Sequence, residues 1–100
     1  MKVLAQVYRD VETVTPQGGR AVFHEPVGAV WLKVGVRRRR ERDEAGTLRI
    51  REEMKAEART DPRLEEGLRL RFSGADWRLV GIDPVEGVAG RMSLALERVR

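Results

Sequence analysis

The chain has 100 residues, 41% hydrophobic and 36% charged, with a net charge of +4. That length suits a single domain, 1–100, with a small core, since such a chain buries about two thirds of its unfolded surface, and the apolar share excludes a disordered tail. Cysteine is absent, which excludes disulfides and thiolate metal sites, so support beyond the core's own packing has to come from neighbouring subunits.

The first segment alternates, with Val3, Ala5, Val7 and Val11 on one parity, the signature of a half-buried strand. Arg9 and Asp10 arrive too early for a secretory signal. Thr15-Pro16-Gln17-Gly18-Gly19 has turn chemistry. A short strand, Ala21 to Glu25, follows and is stopped by Pro26. The longest apolar run, Val27 to Leu32, is too short to cross a bilayer; the chain reads as soluble and intracellular when made, with no membrane partner. Val30, Leu32, Val34 and Val36 then alternate with Trp31, Lys33 and Gly35, which gives the clearest strand.

The arginine run starts where that strand ends. Residues 1–50 carry ten Lys or Arg and six Asp or Glu, against ten of each in 51–100, and five arginines stand with three acids within 35–46. The pattern predicts a long charged loop with a positive tip from Arg37 to Arg40, partly neutralised on its far side. Residues 47–60 contain good helix formers, yet Leu48, Ile50, Met54, Ala56 and Ala58 share one parity with only Glu52 breaking it, which favours a strand. Asp61 to Gly67 reads as one turn of helix, capped by Asp61, with Pro62 at the first helical position and Gly67 at the end. Leu68, Leu70 and Phe72, then Trp77 to Ile82, form a hairpin about Ser73-Gly74-Ala75-Asp76. Asp83-Pro84 breaks its second arm, 86–90 is a loop, and Met92, Leu94 and Leu96 alternate along a last strand. Six or seven short strands predict an all-β sandwich or small barrel.

Catalytic chemistry is scarce. One histidine, two serines, no cysteine and no asparagine leave little for a nucleophile–base pair or a histidine metal site. His24 fits a surface or packing role better than catalysis, and almost every acid lies beside an arginine or lysine, so solvated ion pairs are expected. No glycine spacing matches a phosphate cradle. Trp31 and Trp77 both sit in strand segments where packing is expected. The chain reads as no enzyme, with no cofactor and no bound metal.

In order, these segments resemble the bacteriophage head–tail joining family, also called head completion, head closure or stopper proteins, including those of gene transfer agents. The resemblance covers nearly the full chain and lies in pattern rather than one motif. It is carried by the turn Thr15-Pro16-Gln17-Gly18-Gly19, by Ala29-Val30-Trp31-Leu32-Lys33-Val34, and by the stretch from Leu68 through Phe72-Ser73-Gly74-Ala75-Asp76-Trp77 to Asp83-Pro84. It departs over 37–60, where the family's basic strand corresponds either to Leu48-Arg49-Ile50-Arg51 or to Met54–Arg59.

That resemblance implies a small β-barrel assembling as a ring, usually six-fold, at the head–tail junction of a particle built in the bacterial cytoplasm. Its partners would be a portal-adaptor protein on the head side and a tail terminator or tail tube protein on the tail side, with packaged double-stranded DNA in the channel. One loop of the family projects into that channel, and Arg37, Arg38, Arg39, Arg40 and Arg42 are its candidates here. A ring would multiply one weak basic motif into a strong field. The plainer alternatives are a merely solvated charged loop, or a stand-alone nucleic-acid-binding β-barrel using that loop and the two tryptophans.

Overall fold

The computed structural model describes residues 1–44 and 47–99, with the backbone alone described at 40–44 and 47–50. Its strands are β1 (Lys2–Val14), β2 (Arg20–Glu44), β3 (Thr47–Arg59), β4 (Arg69–Phe72), β5 (Ala75–Pro84) and β6 (Arg91–Arg98). All pairings are antiparallel, and the sheet closes into a barrel in the order β1-β2-β3-β6-β5-β4.

Alternation drives this closure. Ala5 and Val7, Val30 and Leu32, Met54, Ala56 and Ala58, Leu70 and Phe72, Trp77 and Leu79, and Met92, Leu94 and Leu96 are all buried, and the residues between them face outward. Residues 47–59 are a strand, as their parity predicts, and even Glu52 follows the inward set, at 6% exposure. Phe72 and Trp77 stack with centroids 6.0 Å apart and planes 10° apart.

Three expectations change. Pro26 does not stop a strand: Tyr8 pairs with Pro26 and Val7 with Gly28, so Val27 is an extra residue in a bulge, which accommodates a residue without a backbone N–H. The segments 21–25 and 30–36 thereby fuse into β2, and the strands number six, within the six or seven expected. The long charged loop is not a loop: β2 runs on to Glu44, paired with β3, and within this stretch residues 45–46 lie outside the described residues.

The helical turn at 61–67 is absent too. Leu64 N donates to Asp61 O at 3.1 Å, and Asp61 Oδ1 accepts from Arg63 N at 2.9 Å, giving a tight turn. Gly67 N then donates to Leu79 O at 2.8 Å and Leu79 N to Leu68 O at 2.9 Å. Burying Leu64 and Leu68 while tying this segment to β5 takes up the backbone groups that a helix would need.

The outer wall over β1, β4 and β5 is a closed charge network. Asp76 accepts from Arg71 Nε at 2.7 Å and Arg69 NH1 at 3.0 Å, while Asp10 lies 2.7 Å from His24 Nδ1, 3.4 Å from Arg69 Nε and 3.6 Å from an Arg78 nitrogen. Arg71 also stacks on Tyr8 at 4.9 Å. The hydrogen bond from Arg71, helped by Arg69, outweighs burial and brings the Asp76 carboxyl down to about 2. At Asp10 burial acts upward, but bonds with His24 and Arg69 outweigh it, and its pKa lies below the ordinary value.

Unfolded aspartates titrate near ~3.9. Both carboxyls titrate lower when folded, so their contribution to stability is complete above about pH 4 and is lost as pH falls through the folded value, about 2 for Asp76. Urea midpoints should therefore drop over this range. Asp76→Asn should lower stability at neutral pH and flatten that acid limb; an acid limb left unchanged would show that another group is responsible.

Candidate nucleic-acid interface

β2 pairs with β1 only as far as Lys33, and β3 pairs with β6 only from Glu53 onward. Between them the register continues through six further pairs, from Arg39↔Glu52 to Glu44↔Thr47. A two-stranded arm about 20 Å long thus leaves the barrel, at about 3.4 Å per residue. A second arm, Arg9–Val14 with Arg20–Glu25, leaves at the other end of β2. The radius of gyration, 15.4 Å, exceeds the ~13 Å of a compact chain this long, as protruding arms require.

A bulge at the root of the charged arm decides which way its arginines face. Val34 pairs with Ala56 but Arg37 with Met54, so Gly35 and Val36 together oppose Lys55. A Cβ on Gly35 would lie 2.8 Å from the Lys55 carbonyl oxygen, so this position excludes a side chain. The extra residue inverts the alternation. Val36, expected inward, is 78% exposed.

Arg37 and Arg39 turn instead to the inward side. Arg37 lies 3.8 Å from Glu52 Oε2 and Arg39 3.8 Å from Oε1, while Arg98 from β6 reaches Oε2 at 3.3 Å. The guanidinium carbons of Arg37 and Arg98 also sit 5.3 Å and 5.9 Å from the Trp77 ring centroid. A buried carboxylate requires such partners, and these cations close the barrel end over the indole.

The opposite face gathers a different set. Arg38 stands opposite Glu53, Arg40 opposite Arg51 and Arg42 opposite Arg49, and alternate positions share a face. Five arginine positions therefore line one face of the arm, four of them in two directly opposed like-charge pairs, which destabilise a sheet. Of the five arginines expected from the sequence, Arg38, Arg40 and Arg42 come together and Arg37 and Arg39 do not. Arg49 and Arg51 were missed. Their shared parity was visible, but their opposition to Arg42 and Arg40 follows only from the hairpin register.

Elsewhere, His24 is paired with Asp10 on the surface. Trp77 packs as expected, whereas Trp31 does not: Val30 and Leu32 take the inward positions, and Trp31 is 64% exposed. Among the described residues no group of His, Cys, Asp or Glu could hold a metal ion.

The sequence matches no protein-family model and no curated protein. Among solved structures, a chain from the "Virion of native gene transfer agent (GTA) particle" superposes with a TM-score of 0.71 at 18% identity, over 96% of this chain and 93% of that one. The fold is shared with a gene transfer agent virion chain.

Two substitutions test the root of the arm. Gly35→Ala should destabilise by about 2 kcal/mol, the size of an unrelieved overpacking contact, as read from urea midpoints. Glu52→Gln should lower stability by about 1.5 kcal/mol, near the lower end for bonds to charged groups because Arg37 and Arg39 are half exposed. A neutral outcome for Glu52→Gln would mean that Trp77 packing alone closes this end.

Proposed function

We propose that this chain is a structural protein of a tailed phage or gene transfer agent particle. Its role is that of a head–tail connector, or stopper: a non-catalytic ring, six-fold in the simplest reading, between a portal-adaptor protein and a tail terminator or tail tube protein. The β2–β3 arm faces the channel, where packaged double-stranded DNA passes. The observation that carries this reading is the arm itself, with arginine positions 38, 40, 42, 49 and 51 on one face.

Opposed arginines are unfavourable alone and favourable against a polyanion. Six copies would bring about thirty guanidinium groups to one channel. The shared fold with a gene transfer agent virion chain supports a place in such a particle. Exposed Val14, Val22, Phe23, Val36 and Val80 support contacts with other subunits. No aromatic residue lies between 38 and 53, so the arm is suited to phosphates and not to base stacking.

The decisive experiment is electron microscopy of particles from cells lacking the gene. Free tails beside heads that have lost their DNA are expected; joined, full particles would remove the connector role. For the arm, Arg40→Ser, Arg42→Ser and Arg49→Ser combined should leave assembled particles that leak DNA. In duplex binding by the purified chain the same variant should reduce the slope of log K against log salt by about 3. Arg39→Ser should leave that slope nearly unchanged and lower stability instead.

A further inference from the structure

On the barrel wall, Trp31 stands beside Leu4, its register partner on β1, which is itself 45% exposed. A recess of about 420 Å³ adjoins the indole, lined by Lys2, Trp31, Leu32, Lys33, Arg59 and Arg91. The register sets Lys2 opposite Lys33 and Arg59 opposite Arg91, two more like-charge pairs of the kind that weaken a sheet.

On the β1–β4–β5 wall a similar opposition, Arg69 with Arg78, is relieved by Asp10 and Asp76. Here relief is slight. Glu57 lies 3.9 Å from Arg91, and Lys2, Lys33 and Arg59 make no ion pair among the described residues. An exposed indole and an exposed leucine therefore sit among four cations and one acid.

We propose that this recess docks an acidic segment of a different protein, with carboxylates on Lys2, Lys33, Arg59 and Arg91 and one apolar side chain laid across Trp31 and Leu4. Tryptophan and arginine are the residues that most often anchor protein interfaces, and the cationic rim selects an acidic partner. One lone indole is no platform for successive bases, which disfavours a nucleic acid. In a second copy of this chain, Asp10, Asp76 and Glu52 are held by internal arginines and Glu65 by Arg9. Among the described residues only a few acids such as Asp83 and Glu86 could then serve, and self-association is the competing outcome of the test. The site shares no residue with the β2–β3 arm.

Trp77 is fully buried, so acrylamide quenching of the intact protein reports on Trp31. The probe is a synthetic peptide of aspartates and glutamates around one phenylalanine, with an asparagine and glutamine version as control. The acidic peptide should shield Trp31, less so at high salt, and about tenfold more weakly in Lys33→Gln/Arg59→Gln, the effect of removing two partly exposed charges. Arg40→Ser/Arg49→Ser should bind it unchanged, which separates this site from the arm. Absence of shielding, or equal shielding by the neutral peptide, would overturn the proposal. So would stronger shielding by a single-stranded oligonucleotide of equal charge, or concentration-dependent shielding with self-association in sedimentation.

Discussion

The carboxylate of Glu52 lies at 6% exposure, among the guanidinium groups of Arg37, Arg39 and Arg98. A charge so placed has to be paired, and its partners come from β2 and β6 on either side of β3. The same arginines Arg37 and Arg98 cover the Trp77 ring, which stacks on Phe72 inside the barrel. One contact thus joins the barrel core to the base of the β2–β3 arm. Its geometry requires the bulge at Gly35 and Val36, because without the added residue Arg37 and Arg39 would face solvent and Arg38 would face Glu52.

Closure protects most of the sheet from unpaired edges, but the two arms are ribbons of only two strands. Such ribbons are marginal on their own in water. The β2–β3 arm is held at its root by the Glu52 cluster, and the β1–β2 arm by pairs such as Asp10 with His24 and Arg9 with Glu65. In the proposed ring, contacts with adjacent subunits would support their outer ends.

Charge is used in two ways on this surface. Over β1, β4 and β5 opposed arginines are neutralised by aspartates whose carboxyls titrate low, so that wall is electrostatically closed. On the outward face of the β2–β3 arm the register sets Arg40 opposite Arg51 and Arg42 opposite Arg49, and beside Trp31 it sets Lys2 opposite Lys33 and Arg59 opposite Arg91. Those two regions are the ones proposed to meet anionic partners, a polyphosphate at the arm and a carboxylate-bearing segment at the recess.

The alternation of Val30 and Leu32, of Met54, Ala56 and Ala58, and of Met92, Leu94 and Leu96 was enough to establish an all-β chain with a small core, since a period of two admits only strands half buried on one face. The basic character of residues 37–42 was equally plain in the sequence. Which arginines act together was not, because a single added residue at Gly35–Val36 reverses every side chain after it, and bulges leave no mark in the hydrophobic pattern. Pro26 misled for the same reason: a bulge at Val27 carries the strand past it. Arg49 and Arg51 join Arg40 and Arg42 only through cross-strand register, and Trp31 became a surface residue only when Val30 and Leu32 had filled the interior beside it. Long-range pairing, which local composition does not encode, made these choices.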